Sequence, residues 1–402
     1  MLAVRDRRRH YRVPRAQVHL TERDLAHLWE GQRFPPQALT TAAGPALRVI
    51  YRGRRGGGSG PDYRDAVIQA PWGTLKGDVE LHVRASDFRR HGHHRDPAYN
   101  RLALHLVFWQ DDAQDTALAS GRRVPVAALA PWMERRSEEI RSWLEQPALW
   151  EEPCRTSAAR MGGEAAAAVL NRLGDIRFRR RTAEFRRALA HQDPDEVLYR
   201  ALLETLGYGG NREAFLLLTQ RLPWREMRAR LRAHPPGRHA EAALKILVEA
   251  ARGPPALIWR TSGVRPGNHP ARRLEAAAHL AAVHAETGPA RGLTCLLIGN
   301  TQEAVAYLTV KDLGRSLVGP GRAVEMLTNA VLPFFAAAVA GQAGRAMEMY
   351  RTLPRPAAYG AVRHLHEALG TAIRVDARRQ QGMLFLLRHY CSQGRCGGCP
   401  LS

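Results

Sequence analysis

A chain of 402 residues with 45% hydrophobic and 24% charged content is long enough for two or three domains of roughly 150 residues, and this balance excludes wholesale disorder. Its longest apolar stretches, such as Val331 to Ala340 with Pro333 inside, fall well short of the ~20 residues of a membrane span, and Met1 to Arg15 lacks the apolar centre of a signal peptide. No membrane partner is therefore expected, and the expected location is cytoplasmic. The formal net charge of +22 is the footprint of a chain whose basic side chains displace counterions from phosphates, so nucleic acid is the expected partner. Only Lys76, Lys245 and Lys311 among the 60 basic residues are lysine, a skew that genome composition also produces.

In chain order, residues 1–15 form a basic arm, and Thr21-Glu22-Arg23-Asp24 predicts a helix start of capping-box type with Asp in place of Glu. Leu25, Leu28 and Trp29 share one face of that helix. Glu22, three and seven residues from Leu25 and Trp29, lies on the same side, while Glu30 points away and is expected to be solvated. A short strand runs from Leu47 to Tyr51. Gly56 to Gly60 then reads as a hairpin turn, because it lacks the Gly-Lys-Ser/Thr ending of a phosphate loop.

Tyr63 to Ala70 and Asp78 to Arg84 alternate as strands, joined through Pro71-Trp72-Gly73-Thr74. On the second strand Asp78, Glu80 and His82 project from one face, with Val79, Leu81 and Val83 on the other. Antiparallel pairing about Trp72 places Asp62 opposite or diagonal to His82 and within reach of Glu80. Asp96-Pro97 signals a short helix. A strand from Leu102 to Trp109 follows, with Leu102, Leu104, Leu106 and Phe108 on one face and His105 on the other.

The fold class predicted is α+β: a small mixed α/β domain over residues 16–130, a large all-helical domain over 131–390, and a cysteine-rich tail over 391–402. Gly207, Pro223, Pro235-Pro236, Pro254-Pro255, Pro320 and Pro354 punctuate the helical part, which shows no fixed-period repeat.

Asp78, His82, Asp87, His91, His93, His94, Asp96 and His105 crowd around the Asp62 and Glu80 pair. Plain alternatives stand beside each: Asp62 as a turn residue, Glu80 as an exposed strand carboxylate, Glu22 as a helix-start charge, His91 to His94 as a solvated loop, and His105 as a core histidine. At the other end, His389, Cys391, Cys396 and Cys399 offer soft ligands separated by glycines, a pattern suited to zinc or an iron–sulfur cluster. The three cysteines need a fourth ligand, for which His389 is nearest and Cys295 or Cys154 are the alternatives; a metal-free thiol tail is the other reading.

Gly60-Pro61-Asp62-Tyr63, Gly77 to His82, Ser86-Asp87-Phe88, His91-Gly92-His93, Asp96, Ala98-Tyr99 and Leu104-His105 together resemble the bacterial family called domain of unknown function 2851. The likeness extends from Glu22 to Trp29, through Arg265-Pro266-Gly267-Asn268, to Gln380-Gln381-Gly382-Met383 and the final cysteines. Pro61-Asp62 followed by Glu80-Leu81-His82 is also similar to the PD-(D/E)xK nuclease motif. That resemblance implies a nuclease-like domain of helix, three-stranded meander, helix and strand. It further implies a Mg or Mn ion held by Asp62 and Glu80, with Glu22 contributed by the first helix and catalysis shared by Asp62, Glu80, His82 and Glu22. His82 stands where the motif has Lys, and imidazole lacks that fixed charge. Two other readings remain open. One is a non-catalytic nucleic-acid-binding or assembly protein with a degenerate nuclease fold, in which Phe178 and Phe185 interleave with arginines. The other is a transition-metal hydrolase using the histidines for Zn, Mn or Fe, although no His-Glu-x-x-His is present.

Overall fold

The computed structural model describes residues 20–32, 34, 38–41, 46–56, 60–112, 115–133, 142, 144–145, 154, 160–208, 210–261, 264, 266–312, 314–356, 359–370, 373–393, 395 and 398–401. The basic arm 1–15, residues 57–59 of the glycine turn, Arg265 and Cys396 lie outside them. The chain divides into two compact units, Met1–Thr156 together with Leu387–Ser402, and Ser157–Leu386. No helix among the described residues is long and apolar enough to cross a membrane.

The first unit is built on a mixed seven-stranded sheet. Its strands are β1 (Thr40–Thr41), β2 (Arg48–Tyr51), β3 (Arg54–Arg55), β4 (Tyr63–Ala70), β5 (Gly73–Arg84) and β6 (Leu102–Trp109). After a small hairpin of β7 (Thr116–Ala117) and β8 (Arg123–Val124) comes the last, β9 (Val126–Ala128). Their order in space is β1, β9, β6, β5, β4, β2, with β3 also on β4. β2, β4 and β5 form an antiparallel meander, whereas β6 lies parallel to β5 and β9 parallel to β6.

Helix α1 (Glu22–Gly31) starts as its sequence predicts: the Thr21 amide donates to Asp24 Oδ2 at 2.8 Å and the Asp24 amide to Thr21 Oγ1 at 3.3 Å. Leu25, Leu28 and Trp29 are fully buried and pack with Tyr63, Val79, Leu81, Leu104, Leu106 and Phe108 on one face of the sheet. Glu30 is not the solvated residue expected. It accepts from Tyr63 Oη at 2.9 Å and pairs with Arg55 Nε at 3.1 Å, because the end of α1 lies over the start of β4.

Two bulges set the phase of the sheet. Pairing of β4 with β5 is regular from Ala70 and Gly73 to Ala66 and Gly77, and resumes at Tyr63 and Val79. Arg64 and Asp65 therefore face Asp78 alone, two residues against one. Asp65 takes a left-handed backbone, φ 60°, which is uncommon for a non-glycine residue and tolerated best by Asn and Asp. Its amide donates to Asp78 Oδ1 at 3.1 Å, and its carboxylate pairs with Arg101 Nη2 at 2.9 Å and with Arg54. Continued through the bulge, the register brings Asp62 opposite Glu80, two positions from the alignment with His82 that a turn centred on Trp72 predicts and one from the Leu81 that the unbulged register would give.

The second bulge lies between β5 and β6, where Asp78 pairs with Leu102 but Val79 with Leu104. Leu102 is thereby turned away from Leu104, Leu106 and Phe108 and joins Phe88, Tyr99, Leu118 and Val124 on the other face. The expectation that all four apolar residues share a face is corrected accordingly.

The second unit is helical, led by Gly163–Leu189, Pro194–Leu206, His239–Arg252 and Pro270–Val283, with one small hairpin among its described residues, Val310–Asp312 and Arg315–Val318. The aromatic residues of its arginine-rich stretch belong to the core. Phe178 stacks on Tyr350 at 4.6 Å and Phe185 meets Phe334 edge-on at 5.8 Å, both phenylalanines being buried. Arg181 between them is held by Glu204 at 2.7 Å and by the Asn329 carbonyl at 3.0 Å. These two rings are thus not available to stack on bases.

Gly77 carries the closest approach near the site, since a Cβ there would meet the Arg101 carbonyl oxygen at 2.2 Å and Ala103 Cβ at 3.0 Å. Gly77→Ala is expected to destabilise the first unit by about 1–3 kcal/mol, as overpacking does. Gly237→Ala, where a Cβ meets nothing within 4 Å, should change stability by less than about 0.5 kcal/mol. Thermal denaturation of the two variants checks this, and equal transitions would contradict it.

Candidate functional site

On the face of the sheet away from α1, Asp62 and Glu80 interlock through the backbone. The Asp62 amide donates to Glu80 Oε2 at 3.0 Å, and the Leu81 amide donates to Asp62 Oδ2 at 3.0 Å. One oxygen of each carboxylate is thereby oriented by a main-chain donor. Glu80 is only 5% exposed, while Asp62 reaches the surface. Glu22, in the first turn of α1, is exposed and close enough to act on both.

The electrostatics of this trio are unfavourable. Burial pushes the Glu80 carboxyl up to about 9, and the charges of Asp62 and Glu22 push the same way, opposed by the Asp62 amide. Asp62 is raised by burial against the Leu81 amide and Arg55. Glu22 is raised by burial and by Asp62, partly offset by His91. Desolvated like charges disfavour the ionised form. The geometry therefore concentrates carboxylates without neutralising them.

Beside them stands a group of imidazoles. His82, 1% exposed, places Nδ1 3.0 Å from His105 Nε2 and Nε2 3.2 Å from His91 Nδ1. His105 Nδ1 lies 2.7 Å from Thr116 Oγ1, so His105 is a hydrogen-bonded core histidine. His93 Nε2 and His82 Nε2 approach Glu80 Oε1 at 3.4 Å and 3.9 Å. Tyr99 stacks on the His93 ring at 4.2 Å, and Phe88 abuts His82 and His93 edge-on. Burial first, then the neighbouring imidazoles, hold His82 far below the ordinary histidine range; burial likewise takes His105 down to about 3. Both rings are neutral at pH 7.

Helix α2 (Asp87–Arg90) is followed by His91, and a 3₁₀ turn, His93–Arg95, carries His93. Gly92 between them has φ 80°, a left-handed conformation that lets the chain reverse and aim both rings at His82. Among the described residues, His82, His91 and His93 form the group whose ligand atoms, all within 4.8 Å of one another, could hold one metal ion.

The structure thus brings together Asp62, Glu80, His82 and Glu22. Asp78 and Asp87 serve the backbone instead, receiving the Asp65 and Arg84 amides at 3.1 Å and 3.3 Å. Asp96 caps the turn Pro97–Tyr99 through the Ala98 amide at 2.8 Å. Thr116 and Asp65 have no role in the sequence analysis, and Tyr99 enters it only through the family resemblance. Tyr99 and Thr116 are contributed by separate segments, and the Asp65 bulge leaves no local signature. At the C-terminal end, His389 closes the helix Ala377–His389 and Cys391 opens the turn Cys391–Gln393. Cys396, one of the four candidate ligands, lies outside the described residues.

Residues 22–242 match the family model described as Protein of unknown function (DUF2851). No curated protein and no solved structure matches the chain.

A carboxyl raised from 4.5 to about 9 in the folded state has a definite pH signature. Below about pH 4.5 both folded and unfolded chains hold the proton and the group contributes nothing. As pH rises towards 9 the unfolded chain releases it first, and the folded state loses stability by up to about 1.4 kcal/mol per pH unit. In chelator, Glu80→Gln should therefore be more stable than wild type by a margin larger at pH 8 than at pH 5. Urea denaturation at the two pH values measures the margin, and one independent of pH would contradict the assignment.

Proposed function

Because the chain belongs to the DUF2851 family, for which no activity is defined, we propose from its own residues that it is a divalent-metal-dependent phosphodiesterase acting on nucleic acid. The observation that carries this reading is the interlocked Asp62 and Glu80 pair with Glu22 beside it. The order of helix, antiparallel meander, crossover and parallel strand supports the nuclease-like resemblance of the domain.

A magnesium or manganese ion fits the donor set. The charges acting on Glu80 are those of Asp62 and Glu22, both negative, and a cation removes the conflict that otherwise keeps Glu80 protonated. Asp62 and Glu80 would hold it, and such an ion supplies Lewis acidity towards a phosphate and lowers the pKa of water. The chain's own residues do the rest. The Leu81 and Asp62 amides fix the two carboxylates, and Glu22 adds a third from α1. Arg55 and Arg90 lie close enough to act on Asp62 and Glu22 and place positive charge at the rim, where a phosphate backbone would approach. His82, neutral and buried, contributes a lone pair where the motif has a cation, so rim arginines take over the charge that Lys provides. The net charge of +22 favours polyanion capture. The burial of Phe178 and Phe185 weighs against the reading of a purely binding protein that stacks bases on those rings.

Labelled single- and double-stranded DNA and RNA, incubated with Mg²⁺ or Mn²⁺, should be cleaved by wild type. Glu80→Gln and Asp62→Asn should each be slower by about 100-fold or more, while binding persists with dissociation constants on the order of 10⁻⁴ to 10⁻⁶ M that weaken steeply with salt. Cleavage by Glu80→Gln at the wild-type rate would contradict the proposal, as would binding indifferent to ionic strength.

A further inference from the structure

We propose that His82, His91 and His93, with Glu80 Oε1 as fourth donor, form a transition-metal site distinct from the magnesium chemistry of the acidic pair. Imidazole ligands select zinc, manganese, iron or cobalt over magnesium. The inference goes beyond the phosphodiesterase reading and stands on geometry that does not require it.

In tetrahedral zinc sites with metal–nitrogen bonds of 2.0–2.1 Å, neighbouring donors lie about 3.3 Å apart. Here His82 Nε2 and His91 Nδ1 are separated by 3.2 Å, and His93 Nε2 and Glu80 Oε1 by 3.4 Å. His82 Nε2 to Glu80 Oε1 is 3.9 Å, and the three imidazole donors all fall within 4.8 Å. Small side-chain rotations close these distances around one ion.

The surroundings have the form of a ligand shell. His82 is fixed by His105, and His105 by Thr116. One direction of hydrogen bonding along this chain has His82 Nδ1–H donating to His105 Nε2 and His105 Nδ1–H donating to Thr116 Oγ1. It leaves the His82 Nε2 lone pair facing the site, and a cation would select that tautomer. Tyr99 stacked on His93 and Phe88 against His82 restrict ring rotation. Gly92 sets the reversal that makes His91 and His93 converge. Glu80 faces Asp62 with Oε2 and the histidines with Oε1, so a single carboxylate joins the two positions.

The test uses untagged full-length protein, stripped with chelator and titrated with Co²⁺ and with Zn²⁺ in competition. It is repeated in a Cys391→Ser, Cys396→Ser, Cys399→Ser background to remove thiolate binding. One equivalent of Co²⁺ should bind in that background, with visible d–d bands, no thiolate charge-transfer band, and displacement by Zn²⁺ but not by Mg²⁺. His91→Ala and His93→Ala should each weaken binding by more than about 100-fold, beyond the range for a supporting residue. His94→Ala, next in sequence to His93, should not. His91 is exposed, so its variant should keep the wild-type circular dichroism. No bound cobalt, or binding that survives His91→Ala and His93→Ala, overturns the site whether or not nucleic acid is cleaved. Asp62 is not a donor of the histidine site, so wild-type cleavage rates in Asp62→Asn with cobalt binding intact overturn the phosphodiesterase reading and leave the histidine site standing.

Discussion

The polar face of the sheet is in phase because β4 carries one residue more than β5 between Tyr63 and Ala66. In a strand the side-chain period is two, so a slip of one residue sends every side chain beyond it to the opposite face. Without the bulge Asp62 would stand opposite Leu81 and point at α1 and the apolar core. With it, Tyr63 keeps its place in that core and Asp62 meets Glu80. The anchor is Asp65, whose left-handed backbone is held by Asp78 beneath it and by Arg54 and Arg101 from β3 and from the approach to β6. A strained conformation of this kind persists where several partners over-determine it. The second bulge, at Asp78 and Leu102, acts in the same region and turns Leu102 under Phe88 and Tyr99, which form the wall behind the histidines.

Once in phase, the face is electrostatically unbalanced. Elsewhere in the chain buried carboxylates are matched by guanidinium groups: Asp175 accepts from Arg351 and Arg378, and Glu204 from Arg181 and Arg212. Those partners hold both carboxyls below the usual range. Glu80 is treated differently, its charged neighbours being Asp62 and Glu22. Burial also raises Glu325, to about 7, but there Arg322 and Arg273 oppose the shift; what sets Glu80 apart is that the charges it faces are negative, and strongly perturbed carboxyls in such company are where function concentrates.

Much of this was legible in the chain. Tyr63–Ala70 and Leu102–Trp109 are strands at the residues their alternation indicates, Thr21 and Asp24 form the capping box, and Asp96-Pro97 starts a turn of helix. The crowding of His and Asp after Asp62 marked the segments that the sheet brings together around Glu80 and His82. What was not legible depends on partners remote in sequence. β1, β3 and β9 have two or three residues each, too few for a period to show, and exist because a neighbouring strand supplies their hydrogen bonds. The β4 bulge is fixed by arginines ten or more positions away, and the face of Leu102 by a second register shift. Phe178 and Phe185 read equally well as core or contact residues because helical spacing alone does not distinguish a face packed against Tyr350 and Phe334 from one offered to a ligand.

The proposed chemistry depends on Asp62 and Glu80 sharing one face and one cation. Anomalous diffraction from crystals grown with Mn²⁺ tests this directly. A manganese peak is expected within about 2.0–2.6 Å of a carboxylate oxygen from each of Asp62 and Glu80, with Asp65 in the left-handed conformation of the bulge. Ordered Asp62 and Glu80 side chains on opposite faces of the sheet, or on one face with no metal between them, would contradict it.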